Sequence, residues 1–208
     1  MTSRPHLFRP AASPAAPLLI LLHGTGGTEH DLVGLADRLS PGAALLSPRG
    51  LVSEQGAARF FPRLAEGRFD PDQVVPKIDE LADFLAAALR HYFPTQAPRS
   101  RVALGFSNGA NAAAALLQLH PELPLDAAIL LRPMVVLDRP APPGSLAGRR
   151  VLLLNGAQDP IVPHDQPSRL ASRLRAGGAE VELHLHPDAG HGLVPDDLVR
   201  ARDFLERL

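Results

Sequence analysis

The sequence predicts an α/β protein: a mostly parallel central sheet with helices on both faces. Two observations lead there. Short apolar runs, such as 18–22, alternate along the whole chain with longer stretches of helical spacing. Those runs are apolar at nearly every position, as strands covered on both faces are. The length of 208 residues suits one domain.

Taken in order, residues 1–17 form a Pro/Ala-rich segment, partly irregular, and 18–208 are expected to form the single domain. Leu18–Leu22 reads as a buried strand that ends in His23-Gly24-Thr25-Gly26-Gly27. Residues 29–39 carry Leu32, Leu35, Ala36 and Leu39 at helical spacing before Pro41-Gly42. A second strand is expected at 43–47. Residues 48–69 form a long irregular stretch, and loops of that length are often functional. Asp70-Pro71 looks like a cap and first position of a helix that runs to about Tyr92, with Val74, Ile78, Leu81 and Leu85 on one face. Strands at 101–106, 126–131 and 150–154, an Ala-rich helix at 108–119 and a helix at 164–176 follow. A half-exposed strand at 181–186 and a last helix at 195–208 complete the chain.

Composition excludes several function classes. The 21 basic and 22 acidic residues give a net charge of -1, so no global field draws the protein to nucleic acid or to an anionic membrane. Without cysteine there is no thiol nucleophile, disulfide or cysteine-bound zinc. The one lysine, Lys77, falls on a solvated helix face and is a poor Schiff-base candidate. No run approaches the roughly 20 apolar residues of a membrane span. The N-terminus shows no export signal, so membrane insertion is not expected and a cytoplasmic location is.

In such sheets ligands bind at the carboxyl ends of the strands, so the chemistry belongs in the turns that leave them. Gly105-Phe106-Ser107-Asn108-Gly109 fits Gly-x-Ser-x-Gly where a strand becomes a helix, the context of a nucleophile elbow. The plain alternative is a glycine-bounded turn with an incidental serine. A serine hydroxyl needs a base, and the base an orienter. His191, in Gly190-His191-Gly192, and Asp159, in Asp159-Pro160, each follow a strand. Alone, Asp159 reads as a turn aspartate and His191 as a loop histidine. Together, the order Ser107, Asp159, His191 is that of α/β-hydrolases. The glycines after His23 free backbone N–H groups to face an oxyanion, which assigns that role to the amides of Thr25 and Asn108. No Gly-Lys-Ser/Thr follows, which argues against a phosphate loop. His184 and His186 share a strand face, and no carboxylate cluster beside them suggests a metal.

Leu22-His23-Gly24-Thr25-Gly26-Gly27-Thr28-Glu29, Ser47-Pro48-Arg49-Gly50, Gly105-Phe106-Ser107-Asn108-Gly109, Asp159-Pro160-Ile161-Val162-Pro163 and Gly190-His191-Gly192 together resemble the phospholipase/carboxylesterase family. Arg49-Gly50-Leu51-Val52-Ser53-Glu54 with Arg59-Phe60-Phe61 is similar to its bacterial branch of small carboxylesterases. The resemblance implies an α/β-hydrolase fold without a separate lid domain, and a Ser-Asp-His esterase that needs no metal or cofactor and is commonly a homodimer. It carries the catalytic roles to Ser107, Asp159 and His191 and the oxyanion roles to Thr25 and Asn108. The thioesterase branch usually has Trp-Phe-Asp where this chain has Arg59-Phe60-Phe61-Pro62, which argues against lipidated-protein substrates. Candidate substrate contacts are His23, Gly24, Arg49, Arg59, Phe61, Met134 and Val162. The expected reaction is hydrolysis of short- to medium-chain acyl or aryl esters, a small-molecule substrate. Thioesterase or lysophospholipase chemistry on the same scaffold, a metal-dependent hydrolase, and a silent ligand-binding fold are the rivals. A histidine base must start neutral, so activity is expected to fall on acidification.

Overall fold

The structure, a computed structural model, describes residues 4–208. Among these residues nine strands occur in chain order: β1 His6–Arg9, β2 Leu18–Leu22, β3 Ala44–Pro48, β4 Val52–Glu54, β5 Ala57–Arg59, β6 Arg101–Phe106, β7 Ala127–Leu131, β8 Arg150–Gly156 and β9 Glu180–His186. The helices are α1 Val33–Leu39, α2 Pro71–Tyr92, α3 Asn108–Leu119, α4 Gln166–Ala176 and α5 Pro195–Glu206. Seven strands form one sheet in the order β1-β3-β2-β6-β7-β8-β9, parallel throughout except for β1.

Burial explains the strand composition. Leu18, Ile20 and Leu22 of β2 face a core shared with α2, α3 and α4. Leu19 and Leu21 face the other core, with α1 and α5. Both sides are dry, so alternation disappears and every residue of β2 is apolar. Helix α2 begins as its sequence suggests: the Asp70 carboxylate accepts the Asp72 N–H at 3.0 Å and Pro71 opens the helix. Its Val74, Ile78, Leu81 and Leu85 are buried.

Three elements differ from expectation. Within the 1–17 segment, His6–Arg9 pairs antiparallel with β3 and so belongs to the sheet. Phe8 stacks on Tyr92 with ring centroids 3.7 Å apart, fastening this edge to α2. Residues 1–3 of that segment lie outside the described residues. Second, 48–69 is not wholly irregular, because β4 and β5 form a hairpin. Its turn, Gln55-Gly56, has φ of 52° and 86°, the left-handed pair that a tight two-residue hairpin requires. Third, α1 starts at Val33 and not at 29. Thr28 Oγ1 donates to Asp31 at 2.8 Å and accepts the His30 N–H at 3.3 Å, a local turn that competes with the helix.

The parallel registers bring the site together. Leu22 pairs with Gly105, Phe106 with Leu131, and Gly156 with His186. The turns after β2, β6, β7, β8 and β9 therefore emerge at one sheet edge.

Candidate active site

The turn from β6 to α3 is sharp. Ser107 has φ 51° and ψ −115°, a region that costs a non-glycine residue about 1–3 kcal/mol. The glycines two residues either side are sterically required. A Cβ on Gly109 would lie 1.9 Å from the Leu22 carbonyl oxygen, and one on Gly105 would lie 2.5 Å from the Gly109 carbonyl oxygen. Without side chains there, α3 starts almost in contact with β2. The Ser107 N–H is tied to the Leu131 carbonyl at 2.8 Å, leaving the hydroxyl at the helix N-terminus.

Ser107 Oγ lies 2.9 Å from His191 Nε2, and His191 Nδ1 lies 2.7 Å from Asp159 Oδ2. The Asp159 side chain is fully buried, and its other oxygen accepts the N–H groups of Ile161 at 2.8 Å and Val162 at 3.2 Å. With the aspartate accepting at Nδ1, that nitrogen carries the proton and Nε2 is free to accept from the serine. The three side chains, 84 residues apart at the extremes, thus form one relay.

Two amides complete the arrangement. The N–H groups of Thr25 and Asn108 donate to no acceptor among the described residues, and both residues line the cavity beside Ser107. The β5 end of the hairpin supports them. Arg59 Nη1 donates to Thr25 Oγ1 at 2.6 Å, and the Phe60 N–H donates to Asn108 Oδ1 at 2.8 Å. The Gly26 N–H reaches the Ala58 carbonyl at 2.9 Å. The stretch after Pro48 therefore braces both backbone donors in position.

A cavity of about 320 Å³ opens over Ser107. Arg59 and Met134 line it, as expected of substrate contacts, but the other five candidates do not. His23 is buried behind the glycine turn, where Nδ1 donates to the Gly24 carbonyl at 2.6 Å and Nε2 accepts the Gly50 N–H at 2.9 Å. Burial pushes its pKa down, in keeping with that neutral form. Gly24 leaves space for the Phe106 ring, whose Cδ1 would sit 2.9 Å from an added Cβ. Arg49 turns away and grips Glu29 through both Nη2, at 2.8 Å, and Nε. That hydrogen bonding holds the Glu29 carboxyl below its ordinary pKa. Phe61 is fully buried, edge-on to Phe69, and it is Phe69 that reaches the cavity. Val162 is buried with its amide on Asp159, and its neighbour Ile161 forms the wall. On β9, His184 accepts from Arg200 at 3.0 Å, a contact with a cation and not with a further metal-ligating side chain.

Residues 8–208 match the sequence profile of the Phospholipase/Carboxylesterase family. The chain belongs to that family. It is 42% identical over 189 residues to MhqD of Bacillus subtilis (strain 168), covering 90% of this chain and 91% of that one. Among solved structures it resembles the Bacillus cereus carboxylesterase, with TM-score 0.89 and 36% identity over 99% of this chain and 95% of that one. It also resembles a carboxylesterase from Mesorhizobium loti, with TM-score 0.88 and 33% identity over 99% and 97% of the two chains. The fold is accordingly that of an α/β-hydrolase, and family membership supports an esterase-type hydrolase.

Several residues of this family member's site escape a reading of the sequence. Asn111, one turn into α3, accepts the Met134 N–H at 2.7 Å and so fixes the cavity wall beyond β7. Arg63 pairs with Glu54, which also faces Arg59 at 3.2 Å, so two guanidinium groups share one carboxylate beside the cavity. Burial, and after it the nearby Arg63 charge, push the Arg59 pKa down from its ordinary value. Arg132, directly after β7, is wholly buried with φ 57°. Of these only Arg132 follows a predicted strand end, where a positive charge among apolar residues is a visible anomaly. No helix among the described residues is long and apolar enough to cross a membrane.

Proposed function

We propose that this chain is a serine carboxylesterase that cleaves short- to medium-chain acyl or aryl esters through an acyl-enzyme on Ser107. The relay of Ser107, His191 and Asp159, at 2.9 and 2.7 Å, carries the reading. As Ser107 Oγ attacks the ester carbonyl carbon, its proton passes to His191 Nε2. The carbonyl oxygen becomes an oxyanion, which the Thr25 and Asn108 amides are placed to bind; one such donor is worth about 2.7–4 kcal/mol. Collapse expels the alkoxide, which takes the proton from His191 and departs as the alcohol. Water then repeats the sequence on the acyl-enzyme, losing a proton to His191 and releasing the acid and the free serine. Asp159 holds the imidazole orientation and stabilises its cationic form throughout.

The cavity volume of about 320 Å³ lies near the lower end of the roughly 300–1,000 Å³ usual for small-molecule sites, which favours a compact ester. Phe69, Phe106, Met134 and Ile161 give it apolar walls suited to an acyl chain or an aryl ring.

The test is labelling with a fluorophosphonate followed by peptide mapping, alongside turnover of nitrophenyl esters of rising chain length. The label is expected on Ser107, with Ser107→Ala folded and slower by several powers of ten. Retention of most ester hydrolysis by Ser107→Ala would refute the mechanism. Higher kcat/KM on an acyl thioester or a lysophospholipid would reassign the substrate while leaving the mechanism standing.

A further inference from the structure

We propose that Arg132 and Asp197 form a buried clamp that sets the position of the His191 imidazole, making Arg132 a positioning residue for the reaction and coupling α5 to the base. The inference rests on the reading of His191 as that base.

The loop that carries His191 has little else to hold it. From Gly190 to Leu193 the main chain makes no backbone–backbone hydrogen bond among the described residues. Its tethers come from one side chain. Arg132 Nε donates to the Gly190 carbonyl at 3.0 Å and Nη2 to the Gly192 carbonyl at 2.7 Å, so the residues on both sides of His191 are gripped. Nη1 donates to the Leu154 carbonyl at 3.0 Å, which ties the group to β8. The remaining two N–H groups meet both oxygens of Asp197, at 3.0 and 2.7 Å. All five guanidinium donors are therefore used.

Asp197 completes the link. It sits in the first turn of α5 with its side chain 5% exposed, and Oδ2 also accepts the Val194 N–H at 2.8 Å. One carboxylate thus orients the guanidinium and closes the chain just beyond the histidine loop.

The arrangement is costly in isolation. Arg132 is fully buried and adopts φ 57°, a conformation that strains a non-glycine residue. A buried ion pair is also poor as a source of stability, because apolar residues of similar volume often replace it without loss. What apolar residues cannot supply is five N–H donors in a rigid fork, aimed at carbonyls and one carboxylate. A displacement of about 1 Å in a reacting group is enough to cost about 10²-fold in rate. Geometry, more than stability, is then what the pair provides.

The experiment separates those two contributions. Wild type, His191→Gln, Arg132→Lys and the double variant Arg132→Met/Asp197→Leu are compared for kcat and KM on one nitrophenyl ester, and for thermal unfolding. The double variant removes the charges together, so neither is left unpaired, and its unfolding temperature is expected to fall only by the degrees that the backbone groups released by Arg132 and Asp197 cost. Its kcat is expected to fall about tenfold to hundredfold with KM little changed, the scale of an ångström-sized displacement. The low-field proton resonance of the Asp159–His191 hydrogen bond should shift or broaden in parallel. Wild-type kcat in the folded double variant would overturn the proposal and leave the pair a packing feature. If the double variant does not fold, Arg132→Lys decides. It keeps a charge opposite Asp197 but lacks the fork, and a kcat within twofold of wild type overturns the proposal where a loss of tenfold or more supports it. An active His191→Gln would sink the reading of the base itself. An inactive His191→Gln beside fully active Arg132 variants would sink only the clamp.

Discussion

Asp159→Asn replaces one oxygen by an NH₂ group, and the geometry around that carboxylate determines the outcome. The two carboxylate oxygens are not equivalent: Oδ1 accepts N–H groups from Ile161 and Val162, while Oδ2 faces His191 Nδ1 at 2.7 Å. An asparagine must keep its carbonyl oxygen toward the two backbone donors, since the flipped amide would set N–H against N–H in a fully buried site. Its NH₂ then points at His191, and Nδ1 must give up its proton to accept. The imidazole proton moves to Nε2, which donates to Ser107 and can no longer take its proton. The wrong tautomer costs a serine hydrolase about 10⁴-fold in kcat, equivalent to about 5.4 kcal/mol in the barrier. Because size and the loop's backbone bonds are preserved, the variant should bind ester with a KM close to wild type. The assay is nitrophenyl ester hydrolysis at neutral pH with the unfolding temperature as control. A folded Asp159→Asn with kcat within tenfold of wild type would refute the claim that Asp159 sets the tautomer.

Other perturbations read different parts of the structure. Arg59→Met unties the Thr25 hydroxyl from the hairpin and should lower kcat about tenfold or more through a loosened oxyanion donor, checked with a neutral ester so that charge at the cavity wall does not intrude. Gly109→Ala forces a Cβ to within 1.9 Å of the Leu22 carbonyl; it should cost about 3 kcal/mol, a fall of about 6–12 °C in Tm by calorimetry. His120 bonds Glu122 and Asp79, each at 2.8 Å; burial alone would push its pKa down, but the two carboxylates prevail and raise it. Its protonated form therefore stabilises the fold fully below the unfolded-state pKa, and that contribution is lost as pH rises through the higher folded-state value. His120→Gln should accordingly lower Tm more at about pH 5.5 than at about pH 9, on either side of the ordinary histidine value; an equal loss at both would refute the ion-pair account.

What a reader of the sequence can see depends on whether the signal is local. The elbow at Ser107 is visible because its strain demands glycines at fixed offsets, and those glycines sit in the chain beside it. The relay is visible because Asp159 and His191 each fall in a turn after a predicted strand, one buried and one half-exposed. Strand β1 is hidden: four residues between Pro5 and Pro10, on an edge, have no buried face to impose a pattern. The hairpin of β4 and β5 is hidden because its turn is Gln55-Gly56, a weaker cue than Asn-Gly. Most obscure are the directions of charged side chains. Arg49, Arg59 and Arg132 are chemically the same residue, yet one grips Glu29, one braces Thr25 and one spans to Asp197, 65 residues away. The apolar run before Arg132 sets it apart, but nothing near any of the three arginines in the chain names its partner. The same holds for Ile161 and Val162, where only the turn geometry decides which one faces the cavity.

The excursion between β3 and α2 divides its labour by position. Its first half, through Arg59 and Phe60, holds Thr25 and Asn108, whose amides are the proposed oxyanion donors. Its second half, with Arg63, Glu66 and Phe69, supplies much of the wall that an incoming molecule touches. Bracing and wall are thus mounted on consecutive pieces of one ribbon, joined where Glu54 pairs with both Arg59 and Arg63. Exchanges at Glu66, on the cavity wall and outside the group of Arg59, Glu54 and Arg63, are the ones that can retune what enters while leaving that bracing alone, a route open to evolution and to the protein engineer alike.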